Sequence, residues 1–238
     1  MWGEGVQYLS HISEAKKRVI RSLLVFFAVF SVVWNYSDSI IEKLIELTDL
    51  KIITVSAFEM FLSEMYISLF VTLLIVMPYL GFELYKFISP GLFPKEKRII
   101  LWCSVPFYVM FLIGSIVPTI FFISVVMSIL TQFYVAGVEQ TVSLASYVSL
   151  VLSTSIAFGV LFCIPNVSGI LTYLGVLNSS VMSKYRKHFI VVSMVFCAII
   201  TPGPDAASLI LMELPVIFIY EGSIIISKII ECLCKKKN

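Results

Sequence analysis

Six apolar runs separated by short polar stretches dominate this chain, and most are longer than a soluble core accepts. They cover residues 19–36, 63–86, 99–127, 147–174, 189–200 and 206–227. A helix needs about 20 residues to cross the hydrocarbon of a bilayer. Only 13% of the residues are charged, against about 25% in soluble domains, so lipid is the solvent this chain calls for. Lipid offers the backbone no hydrogen bonds, so the runs must be helical. The expected fold class is all-α: a polytopic membrane protein, one integral membrane domain over residues 1–238, with six transmembrane helices.

Charge placement orients the bundle. With the N-terminus inside, six crossings return the C-terminus inside, and fifteen of the seventeen Lys and Arg residues face the cytoplasm. Only Lys43 and Lys51 fall outside, so the positive-inside rule fixes an N-in/C-in topology. Val6, Leu9 and Ile12 recur at three-residue spacing and predict a short amphipathic helix on the membrane surface before the first span. Residues 37–62 read as a mixed, helical outer segment, 87–98 as a cytoplasmic loop, and Thr201-Pro-Gly-Pro-Asp205 as a tight outer turn. The fifth run has about twelve residues and reaches about 18 Å, short of the roughly 30 Å of hydrocarbon. Pro78, Pro106, Pro118, Pro165 and Pro215 fall inside spans. Each removes a backbone donor and bends its helix.

Several function classes are excluded. The formal net charge is +2, which suggests no nucleic-acid partner. The five cysteines lie in apolar runs or the lysine-rich tail and form neither a disulfide framework nor a zinc motif. No H-E-x-x-H, C-x-x-C or Ser/His pair within one span occurs, so an enzyme lacks catalytic candidates and a cofactor or metal lacks ligands. A proton-coupled secondary transporter would use Glu213 and Glu221, eight residues apart near one face of the sixth span. Against it stand the lack of internal repeats and of polar midplane sites in four of the six spans.

Two carboxylates stand among cations on the cytoplasmic side: Glu14 beside Lys16, Lys17 and Arg18, and Glu96 beside Lys95, Lys97 and Arg98. Ordinary interfacial pairing explains either one alone. Together they make a receptor for a peptide bearing arginines, because guanidinium binds carboxylate bidentately. One exposed pair contributes about 0–1 kcal/mol, so both sites plus apolar contact are needed for useful affinity.

His11-Ile-Ser-Glu14-Ala-Lys-Lys-Arg18 resembles the amino-terminal signature of TatC, the multi-span core of the twin-arginine protein translocase. Phe87-Ile-Ser-Pro90-Gly-Leu-Phe-Pro-Lys-Glu96-Lys-Arg98 resembles that family's F-x-x-P-G-L-x-x-x-E-[RK]-R loop. Ser146-Tyr147, Phe158-Gly159, Pro165, Lys184-Tyr-Arg-Lys187, the 201–205 turn and Glu221 follow in the family's order. The resemblance implies a glove-shaped bundle that binds twin-arginine signal peptides on folded cargo and moves it by the proton-motive force. It implies TatA/TatB-type single-span partners, homo-oligomers within a larger complex, and a bacterial inner membrane, with thylakoid or mitochondrial inner membranes as alternatives. By motif, Glu14 and Glu96 bind the signal peptide together with Lys16, Arg18, Phe87 and Pro90, and Asp205 matches the acid of the outer turn. The chain departs from the pattern at Cys163, where the family commonly carries a fourth-span glutamate, and at Leu209, where glutamine is usual. Glu213 is the expected partial substitute for the missing acid.

Overall fold

Residues 6–34 contain neither proline nor glycine, so nothing interrupts a helix that begins before the membrane and ends beyond it. In the computed structural model, which describes residues 2–48, 51–89, 94–132, 141–200 and 206–235, helix α1 accordingly runs unbroken over Trp2–Trp34. The expected separate surface helix is therefore the first part of the same rod. After a turn at Asn35 and Tyr36, helix α2 (Ser37–Ile45) leaves at 59° to the Lys16–Trp34 stretch.

The outer segment is only partly helical. Beyond α2 it contains strand β1 (Lys51–Ile53), which pairs in parallel with β2 (Thr141–Ser143) through Ile52 opposite Val142. This three-residue ladder was not read from the sequence, because neither piece is long enough to show a two-residue period. Helix α3 (Ala57–Ile88) starts six residues before the expected span. Ser56 caps it, its hydroxyl accepting the Glu59 amide at 3.2 Å.

The expected loop 87–98 is corrected more sharply. Phe87 belongs to the last turn of α3, and helix α4 (Pro94–Gln132) opens with proline at its first position, where the missing N–H costs nothing. Glu96 thus lies on the first turn of a helix. The fourth run is two helices, α5 (Leu144–Phe162) and α6 (Ile164–Tyr173), broken at Cys163 because Pro165 cannot donate to the preceding turn. Helices α7 (Ser179–Lys184), α8 (Arg186–Ile200) and α9 (Ala206–Lys235) complete the chain. The turn at 201–205, with Asp205, and Pro90 lie outside the described residues.

Four helical stretches among the described residues are long and apolar enough to cross a bilayer: Ala57–Phe87, Cys103–Val126, Leu144–Tyr173 and Ser208–Leu233. The bent pair of Lys16–Trp34 and Ser37–Ile45 makes a fifth if counted as one span. Helix α8 has 15 residues and reaches about 22 Å, in keeping with the short fifth run.

Contacts at the two ends agree with the charge pattern. At one end Glu59 accepts the Ala145 amide at 2.7 Å and the Val55 amide at 2.8 Å, and the Tyr147 hydroxyl donates to the Leu44 carbonyl. At the other, Arg18 meets Glu83 and Ser179 meets Glu231. The first end holds Lys43; the second holds the clustered cations. Between them the buried core joins α4, α5, α8 and α9 through Phe122, Ile123, Tyr147, Phe158, Cys197, Met212 and Val216.

Helices α4 and α5 pack closely, and two glycines permit it. A Cβ on Gly114 would stand 2.5 Å from Phe162 Cβ and 2.8 Å from the Phe158 carbonyl oxygen. A Cβ on Gly159 would stand 2.3 Å from Ser115 Oγ. Small residues at such crossings let backbones pack where lipid gives no hydrophobic drive. Gly114→Ala should lower stability by about 1–3 kcal/mol, read as an earlier thermal midpoint in detergent. Gly81→Ala, with nothing within 4 Å of the new methyl, should not lower it.

Candidate functional site

The end that holds the clustered cations is built around one acid. Glu83 is 7% exposed, near the end of α3. Arg18 Nη1 donates to its Oε2 at 3.1 Å, Arg21 Nη1 lies 3.7 Å from its Oε1, and the Tyr79 hydroxyl donates to Oε1 at 3.4 Å. Arg18 and Arg21 are three residues apart and so share one face of α1. The structure makes Glu83 the hub that fixes α1 against α3. The Arg–Glu separation of 65 residues is why no local pattern showed it.

Of the sequence-derived site residues, Arg18, Lys16 and Phe87 can be placed relative to this hub. Arg18 is half-buried and turned toward Glu83, and Lys16 is exposed on the preceding turn. Position 14 lies one turn before Arg18 on α1. Phe87 is exposed, one turn after Glu83 on α3, and Lys86 sits 4.5 Å over the Phe82 ring. Position 96 starts α4. The side chains of Glu14 and Glu96 lie outside the described residues, so their contacts are not part of this geometry. The two backbones that carry them are nonetheless brought to one end.

Helices α8 and α9 are zipped together by the remaining intramembrane acids. Arg186 Nη2 donates to Glu221 Oε2 at 2.8 Å, both side chains being about two-fifths exposed. One turn deeper the Phe189 and Tyr220 rings stack with centroids 3.9 Å apart. Deeper still, Glu213, only 3% exposed, accepts from Ser193 Oγ at 2.5 Å and Cys197 Sγ at 3.5 Å. Glu213 and Glu221 therefore do share a face, as their spacing suggested. That face is spent on α8.

Cys163 occupies the position where a fourth-span acid was expected. Its buried thiol donates to the Gly159 carbonyl at 3.4 Å and packs with Leu74 and Phe111. Glu213 borders a different cluster, beside Met212 and Val216. A groove of about 560 Å³ opens at the other end of the molecule between α3 and α5, lined by Glu59, Tyr66, Ser149 and Leu152 among others.

The family model described as "Sec-independent protein translocase protein (TatC)" matches residues 10–215. A Helicobacter pylori Sec-independent protein translocase protein TatC is 31% identical over 224 residues, 92% of this chain and 87% of the relative. TatCy of Bacillus subtilis is 30% identical over 225 residues, 92% of this chain and 88% of the relative. A crystal structure of the twin arginine translocase receptor TatC superposes with a TM-score of 0.74 at 27% identity, covering 92% of this chain and 99% of that one.

The α8–α9 geometry separates a deep contact from a shallow one. Glu213→Ala should cost about 1–3 kcal/mol, since it strips buried hydrogen-bonding groups of their acceptor. Glu221→Gln at the exposed pair should cost at most about 1 kcal/mol. Chemical or thermal unfolding in detergent measures both.

Proposed function

The chain belongs to the TatC family of Sec-independent protein translocase proteins, and from that premise we propose that it is the subunit that receives twin-arginine signal peptides. It is an integral membrane component of a protein-translocating complex. In the finer reading, Glu14 and Glu96 take the two guanidinium groups of the signal peptide, and Phe87 and Pro90 shape the apolar side of the site. The peptide's hydrophobic segment then lies against the bundle. Single-span subunits of the TatA/TatB type join this chain, and the proton-motive force across a bacterial inner membrane drives folded cargo through.

The observation that carries this reading is the Arg18–Glu83 contact at 3.1 Å. It joins the helix bearing position 14 to the helix that leads into position 96. Two carboxylates on neighbouring rigid helices can act together in a way that two on independent loops cannot, because the second binding step becomes intramolecular. Each arginine–carboxylate pair alone is weak when exposed, and bidentate geometry rewards arginine over lysine. Asp205 is proposed to act at the outer turn. Glu213 is proposed as the intramembrane acid of a chain that carries a thiol at position 163. Its support is its depth, since a carboxylate in hydrocarbon is a functional candidate by default.

Two experiments test these proposals. In membranes holding the complete complex, a twin-arginine peptide should crosslink to residues 87–98. Replacing its arginines by lysines, or making the Glu14→Ala/Glu96→Ala double variant, should reduce the yield about tenfold or more. Undiminished crosslinking would overturn the receptor reading. Glu213→Gln should slow export of a folded reporter several-fold at normal protein levels; an unchanged rate removes Glu213 from the mechanism.

A further inference from the structure

We infer that Glu83 is a positioning residue for signal-peptide recognition: by gripping Arg18 and Arg21 it sets the distance between the segments of α1 and α4 that carry Glu14 and Glu96. The inference rests on the receptor reading above and adds a residue that no sequence motif singled out.

The grip has the features of a registering contact. Glu83 is buried; Arg18 at 3.1 Å and the Tyr79 hydroxyl at 3.4 Å donate to its two oxygens, and Arg21 adds a longer ion pair at 3.7 Å. A carboxylate at this depth at a membrane boundary is costly unless it is paired, and removing one partner of such a pair is more disruptive than removing an exposed charge. The two arginines come from consecutive turns of one face of α1, so the contact opposes both rotation and sliding of that helix. Positions 14, 18 and 21 follow a single stripe along α1. Turning the helix to release Arg18 would therefore carry position 14 with it.

On the α3 side, Glu83 lies one turn before Phe87 and five residues before the helix ends at Ile88. Only residues 89–93 separate that end from α4, whose first turn holds position 96. The acid thus sits at the junction of the two arms. At the far end α1 also meets α3 through Trp34 and Phe61, with ring centroids 5.7 Å apart. That contact is remote from the site, and apolar faces in lipid slide more easily than a bonded ion cluster.

The test uses the complete complex in native membranes, with spin labels at Lys17→Cys and Lys97→Cys to report the separation of the two arms. Glu83→Ala should broaden the interspin distance distribution and weaken twin-arginine peptide binding about tenfold. Glu83→Gln, which keeps a hydrogen-bonding oxygen while losing the charge, should fall between that and the parent. Glu83→Asp, which keeps the charge on a shorter arm, should restore both readouts toward the parent, which a general loss of stability would not allow. Glu83→Gln also serves if Glu83→Ala fails to fold. Parental affinity and an unbroadened distribution in folded Glu83→Ala or Glu83→Gln would overturn the inference. So would a folded Glu83→Asp variant as impaired as Glu83→Ala. The receptor reading fails separately, if Glu14→Ala/Glu96→Ala binds peptide like the parent while Glu83 variants are intact.

Discussion

A carboxylate in or beside hydrocarbon must find a partner, and Glu59, Glu83, Glu213, Glu221 and Glu231 find it on another element. Glu59 of α3 takes amides on both sides of the outer cap, including Ala145 of α5. Glu83 of α3 takes Arg18 and Arg21 of α1. Glu213 and Glu221 of α9 take Ser193, Cys197 and Arg186 of α8, and Glu231 of α9 takes the Ser179 amide and hydroxyl at the start of α7. Lipid tails are as apolar as leucine, so burying apolar faces does little to choose one helix neighbour over another. Directional polar contacts and close glycine crossings supply the choice. The acids act as staples, and their depths fix the register of the helices they join.

What was legible in the sequence follows from this division. Apolar runs are local, additive signals, and they were enough to mark the chain as a bundle of membrane helices. Helix ends were not legible in the same way, because the drop in hydrophobicity marks the membrane boundary and not the end of hydrogen bonding. Helix α9 therefore continues to Lys235, past the apolar run, and α3 begins at its Ser56 cap. The motif around Glu14 and the one around Glu96 were readable as family signatures. Their mutual placement was not, since it depends on Glu83 reaching across 65 residues of chain to Arg18. Pro90 and Asp205, read from the same signatures, lie outside the described residues, and the structure adds nothing to those two assignments.

The thiol at position 163 shows how one substitution redistributes polarity. At a break between two helices, a carboxylate would face unpaired carbonyls and need a donor; a cysteine donates weakly to Gly159 and otherwise packs with Leu74 and Phe111 as a small apolar group. The deep acid of this chain stands instead on α9, held by two donors of the short helix α8. A 15-residue helix has few turns with which to bury apolar surface. A buried carboxylate bonded twice to it, with a stacked Phe189–Tyr220 pair and the Arg186–Glu221 bridge beyond, anchors it along most of its length.

The positive-inside rule sets a problem for any receptor of a cationic peptide at this end. The same Lys and Arg residues that orient the chain repel the guanidinium groups it is proposed to bind. At physiological ionic strength the screening length is about 8 Å, so scattered lysines two or more helix turns away, beyond about 10 Å, contribute little. A bonded arginine–carboxylate pair at contact distance is screened far less. Glu83 helps in the same direction: it draws two of the cations, Arg18 and Arg21, into an internal contact and compensates their charge at its source. Recognition at such a surface must therefore be short-ranged and geometric. Long-range attraction has nothing to offer it, which is why the rigidity of the two arms matters more than the net charge around them.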